Sequence, residues 1–212
     1  LEGTEREVQT IDTLLRNKQI PVALMSGMAG TEESFKQLSG QSITLLHVAT
    51  HGFYSPLTGH YTAQRSFEEQ ALSRSGLFLS GAAASLNMKK IPEDIEDGIL
   101  TAKELSKLDL SNLNLAILSA CQTGLGEIVG DGVFGLQRGF KKAGAQTLLM
   151  SLWKVDDTAT QLLMAEFYKN LVSGQNKRAA FLNAQKYLRS YQNGIYDKPE
   201  YWAAFIMLDG IH

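Results

Sequence analysis

Two residue types in this chain could do covalent chemistry if they meet. Cys121 is the only cysteine, and His51, one of four histidines, is followed at once by Gly52. A thiol is a weak nucleophile until ionised, and an imidazole within hydrogen-bond reach can take its proton. The same imidazole can then act as general acid toward a leaving group. Gly52 lets the backbone approach a substrate closely. Its amide, with that of Cys121, could form an oxyanion hole. The plainer alternatives are a cysteine that merely fills a core, as most free cysteines do, and an ordinary turn glycine.

Whether these residues meet depends on two apolar runs. Residues 115–120 form one, ending at Cys121 and followed by a turn carrying Gly124 and Gly126. Residues 43–50 form the other, ending at His51. Short continuous apolar runs read as strands buried on both faces. In a parallel sheet the C-terminal ends of strands share one rim, where ligands bind. Neighbouring strands lie about 4.8 Å apart. If these two are neighbours, His51 and Cys121 project into one crevice.

The rest of the chain supplies the frame. A helix is expected over 4–15, with Thr4 and Glu7 as a capping box, then a strand over 20–25. Thr31 caps a short helix carrying Phe35 and Leu38. Residues 53–75 read as a long irregular excursion, 77–79 as a strand and 87–97 as a polar loop. Both long loops are candidate activation or substrate-binding elements. Thr101 and Glu104 form a second capping box. Val133, Leu136, Phe140 and Ala143 mark a helix ending at Gly144, and residues 147–153 a strand. Asp156 or Asp157 caps an amphipathic helix with Ala159, Leu162, Leu163, Phe167 and Leu171 on one face. A helix over 177–191 and a strand over 203–208 close the chain. Strands alternating with helices predict an α/β fold, a mainly parallel sheet covered on both faces. No domain boundary stands out within residues 1–212.

Composition narrows the function. The chain has 212 residues and a net charge of -2, which argues against a nucleic-acid surface. A single cysteine excludes an internal disulfide and Cys-rich metal sites. No apolar run reaches membrane-spanning length. No cofactor and no metal are expected: His60 and His212 are isolated, and His47 reads as a packed core residue. Glu127 and Asp131 read as solvated, and Lys141 with Lys142 as a helix-end charge pair. The chain opens on Leu1 rather than Met, which suggests a piece of a longer protein; no signal peptide opens this piece, and a cytoplasmic location is expected.

Rival thiol chemistries fail on spacing. A phosphate-binding cysteine loop would meet the repelling Glu127. The dinucleotide fingerprint lacks its third glycine, because Val129 stands there. A glutaminase-like site would place its histidine after the nucleophile, not before it.

Residues 47–52 (HVATHG), 119–127 (SACQTGLGE), 143–145 (AGA), 151–157 (SLWKVDD) and 201–205 (YWAAF) together resemble the CHAT domain family. The resemblance runs from about residue 4 to residue 210. Gln122 departs from the acidic residue usual after the cysteine. These are caspase-like peptidases, often fused to TPR repeats and related to separase. The resemblance implies a caspase-like three-layer sandwich whose first strand would lie ahead of Leu1. It implies a His51/Cys121 catalytic dyad, a protein substrate, and a TPR or regulatory region as partner, with neither nucleic acid nor membrane. It also suggests that Asp157, with Asp156 and Trp153, lines the pocket for the residue before the scissile bond, favouring Arg or Lys there. The plainer role for the two aspartates is helix capping. The alternative to an enzyme is a catalytically silent scaffold or protein-binding module.

Overall fold

The computed structural model describes residues 2–55, 67–87, 96–119, 127–129 and 132–210. The elements run α1 (Glu2–Asn17), α2 (Glu32–Lys36), β1 (Leu45–Val48), β2 (His51–Tyr54), α3 (Phe67–Leu72), β3 (Ser75–Phe78) and α4 (Ala82–Asn87). They continue with β4 (Ile99–Thr101), α5 (Ala102–Leu105), β5 (Leu115–Leu118), β6 (Glu127–Val129), β7 (Gly132–Phe134) and α6 (Leu136–Ala143). The last are β8 (Thr147–Ser151), α7 (Asp157–Val172), α8 (Lys177–Ser190), α9 (Pro199–Trp202) and β9 (Phe205–Asp209). They form two compact units, one of Leu1–Met25 with Lys154–Ile206 and one of Ser26–Trp153 with Met207–His212.

The first unit is helical. α7 packs against both α1 and α8. Its core is built from Ile11, Leu163, Phe167, Tyr168, Phe181 and Leu188, all buried. Phe167 meets Phe181 edge-on, with ring centroids 6.1 Å apart. Asp156 caps α7, its Oδ1 accepting from the Ala159 N–H at 2.9 Å. Asn176 caps α8 in the same way.

The second unit holds the main sheet, ordered β1-β5-β8-β9, with β9 entering it through its end at Met207–Asp209. β1 pairs parallel with β5, and β5 parallel with β8. Thr147 Oγ1, at the start of β8, donates to Asp209 Oδ1 at 2.9 Å. β5 and β8 are buried along their whole length, as their unbroken apolar runs require. Leu118, Ile117 and Leu148 show no exposure. Each such side chain contributes about 1.5–3 kcal/mol by leaving water. The result is the α/β class with a mainly parallel sheet that the alternation predicts.

A second sheet, antiparallel and ordered β2-β3-β4, belongs to the same unit, and β6 pairs with β7 as a hairpin. The Thr101/Glu104 capping box forms as read: the Thr101 side chain accepts from the Glu104 N–H, and the Glu104 carboxylate accepts from the Thr101 N–H.

Several expectations need correction. The strand expected over 20–25 does not form: these residues belong to no helix and no strand. Ile20, Leu24 and Met25 are exposed. Thr4 caps nothing, because α1 already begins at Glu2. The excursion over 53–75 is partly regular, with Phe53 and Tyr54 in β2 and a helix at Phe67–Leu72. Residues 56–66 lie outside the described residues, as do 88–95 of the second loop. Val133 belongs to strand β7, so the following helix starts only at Leu136.

Candidate functional site

β1 and β5 are direct neighbours in register. Val48 lies opposite Leu118, and the Ser119 N–H donates to the Val48 carbonyl at 2.9 Å. His51 is the third residue after Val48, and Cys121 the third after Leu118. β1 and β5 thus end side by side at one rim of the sheet. Cys121 itself, with Gln122, Gly124 and Gly126, lies outside the described residues.

His51 does not end the first strand, as the sequence suggested. β1 stops at Val48, and His51 opens β2, exposed and paired with Phe78 of β3. Two residues, Ala49 and Thr50, carry the chain from one sheet to the other. Thr50 is half-buried, and its hydroxyl donates to the Phe78 carbonyl at 2.5 Å. Phe78 therefore faces both His51 and the side chain before it. The Phe53 ring packs on the Phe78 ring at 4.9 Å between centroids. Gly76 makes room for it: a Cβ there would come within 2.7 Å of Phe53 and 2.5 Å of the Leu100 carbonyl.

The ladder also fixes where the Gly52 amide points. The Ser55 N–H donates to the Arg74 carbonyl, continuing the register that sets Tyr54 opposite Ser75. In an antiparallel pair the hydrogen-bonded positions alternate. Residues 55, 53 and 51 thus turn their backbone groups to β3, and Gly52 turns its N–H and C=O away. Among the described residues β2 is the edge strand of its sheet, and the Gly52 amide faces the side away from β3.

The other predicted residues fall as follows. Asp156 spends one carboxylate oxygen on the α7 cap. Asp157 opens α7, and its carboxylate lies against the first turn of α1: a Cβ added to Gly3 would stand 3.0 Å from Asp157 Oδ2. Helix starts favour a negative charge. Trp153, beyond β8, is 38% exposed. His47 sits half-buried in β1 opposite Ile117. Lys141 and Lys142 occupy the last turn of α6. His60, Asp131 and His212 lie outside the described residues.

One charged cluster escaped the sequence reading. Lys36 Nζ lies 2.7 Å from Glu32, 2.7 Å from Glu96 and 3.2 Å from Glu104. Glu32 is 1% exposed, and its other oxygen accepts from the Gly98 N–H at 3.0 Å. Burial pushes the Glu32 carboxyl above its ordinary value despite Lys36. Burial also opposes charge on Lys36, but its three carboxylate partners outweigh that and raise it. The three glutamates could in geometry hold a cation. The Lys36 ammonium already is that cation. The Glu32/Lys36 spacing of four was visible in sequence, but Glu96 and Glu104 lie 60 and 68 positions from Lys36.

The family model described as CHAT domain matches residues 1–210. The chain belongs to the CHAT domain family. Its fold is accordingly of the caspase-like kind. Two curated relatives of this CHAT domain are both called Tetratricopeptide repeat protein 28. The one from Mus musculus is 34% identical over 110 residues, covering 52% of this chain and 4% of the relative. The one from Homo sapiens is 32% identical over 114 residues, covering 54% and 4%. The chain thus spans about 4% of the length of these relatives. No helix among the described residues is long and apolar enough to cross a membrane.

Proposed function

We propose that this CHAT domain is a cysteine endopeptidase acting on a protein substrate through His51 and Cys121. The supporting observation is the parallel pairing of β1 with β5, the strands that precede His51 and Cys121 in the chain. The Cys121 thiolate attacks the peptide carbonyl carbon, and the carbonyl electron pair moves onto oxygen. The Gly52 and Cys121 amides hold that oxyanion. The Gly52 amide faces away from β3, and among the described strands none lies on that side of β2, as such a donor needs. His51 gives its proton to the leaving amine as the C–N bond breaks. Water, deprotonated by His51, then releases the acyl group and restores the thiol.

The relatives are named for tetratricopeptide repeats, and we extend that to a regulatory partner: a TPR region controls access to the site. The pocket assignment of Trp153, Asp156 and Asp157 belongs to the same proposal, with Asp157 as the carboxylate that selects Arg or Lys.

The test is a peptidyl acyloxymethyl ketone ending in Arg, with labelling located by mass spectrometry, alongside release of fluorescent amines from peptide amides. Label on Cys121, lost in His51→Ala, with peptide turnover lost in Cys121→Ala, is the expected result. Turnover that survives Cys121→Ala removes Cys121 as the nucleophile, and neither label nor turnover in the wild type leaves a protein-binding module of the same fold.

A further inference from the structure

We infer that Thr50 is a positioning residue for the dyad: its hydroxyl fixes the junction from which His51 and Gly52 are presented. The inference rests on the proposed peptidase reading and adds a residue to it. Three observations carry it. First, β1 ends at Val48 and β2 starts at His51, so residues 49 and 50 are the whole link between these two strands, which belong to different sheets of the same unit. Second, the Thr50 hydroxyl donates to the Phe78 carbonyl at 2.5 Å, a side-chain tie beside the backbone ladder. Third, Phe78 is the residue paired with His51. The contact thus ties the residue before the imidazole to the strand residue opposite it.

Without that contact the junction keeps its length but loses its side-chain tie. The peptide before His51 is then held by the backbone ladder alone, and the imidazole is less closely fixed. A misplacement of about 1 Å at a reacting group costs roughly a hundredfold in rate. β-Branching alone would not serve, because it supplies shape and no donor. Spacing alone does not reveal this role, since Thr50 reads as the last residue of the apolar run over 43–50.

Thr50→Val keeps the shape and removes the donor, and Thr50→Ser keeps the donor. The chain has one cysteine, so alkylation by iodoacetamide reports on Cys121 alone. The alkylation rate against pH, followed by mass spectrometry, reads how well His51 supports the thiolate. The expected outcome is a wild-type profile set well below that of an ordinary thiol. Thr50→Val should move toward the profile of His51→Ala and label at least about tenfold more slowly near pH 7. Thr50→Ser should keep the wild-type profile. Turnover of peptide amides should fall in kcat more than in KM for Thr50→Val. Unchanged labelling and turnover in Thr50→Val, with His51→Ala clearly shifted, would overturn the role of Thr50 and leave the dyad standing. Identical profiles for wild type and His51→Ala would overturn the dyad and this inference with it. Thr50→Ala, read beside Thr50→Ser at equal melting temperature, separates lost positioning from lost folding. If only the hydroxyl-free variants slow at matched stability, positioning holds. If both track melting temperature alone, it fails.

Discussion

Val48 stands opposite Leu118 in a parallel ladder, and the amide that follows Leu118 donates to the Val48 carbonyl. This pairing is the closest described approach of the two chain segments on which the chemistry depends. Leu118 is fully buried beneath it. Leu118→Ala should lower the unfolding free energy by about 2–5 kcal/mol in urea melts. Leu45→Ala, at the exposed start of the same strand pair, should cost much less.

The Lys36 cluster predicts an inverted pH response. Lys36→Met strands a buried Glu32 carboxylate, which should cost about 3–5 kcal/mol near neutral pH. Burial already raises Glu32, and the loss of Lys36 raises it further. A carboxyl whose folded value is raised stabilises the fold below its unfolded value and loses that contribution as pH rises through the folded one. The variant should therefore gain urea resistance as pH falls from neutral toward the ordinary carboxylate range. Glu104 acts in the opposite sense in the wild type. Burial works against it, yet hydrogen bonds from Thr101 and Lys36 hold it below the ordinary value. Its contribution is present above the unfolded value and fades as pH falls through the depressed one. A Lys36→Met variant that shows no gain on acidification would contradict a buried, unpaired Glu32.

Gly76→Ala should disturb the strand that faces His51. The added methyl would meet the Leu100 carbonyl at 2.5 Å and the Phe53 ring at 2.7 Å. The backbone contact cannot give way by side-chain rotation, so a loss of about 1–3 kcal/mol is expected in thermal or urea melts. Peptide turnover should fall with it, because the crowding lies between β2 and its neighbours.

The two aspartates can be told apart. Asp156→Ala should cost about 1 kcal/mol through the α7 cap, and Asp156→Asn should recover most of it. Asp157→Ala should instead change the preference between peptides ending in Arg and in Leu. An unaltered preference would confine Asp157 to its place beside Gly3 at the start of α1.

What the sequence made legible follows from how much signal each element carries. β5 and β8 are unbroken apolar runs because both faces are covered, and such runs stand out. The Thr101/Glu104 box was legible because its partners are three residues apart. Residues 20–25 looked like a strand because apolarity marks a segment that could be buried, not one that has found a partner. β2 was hidden because it starts two residues after β1, so two strands read as one with a tail. β4, β6 and β7 have three residues each, too few for any period to register. The neighbourhood of β1 and β5 was a wager in sequence, since no local pattern encodes which strands pair. The contact from Thr50 to Phe78 spans 28 positions and left no trace in spacing.

The ladder between β2 and β3 also makes the outward amide a matter of parity. Insertion of one residue between Thr50 and Phe53 would shift every later peptide group by one place and hand the outward position to a neighbour with a side chain. Insertion of two would restore the phase while moving the imidazole farther from its sheet. Length changes here are therefore not graded: odd ones swap which group faces solvent, and even ones only lengthen the reach.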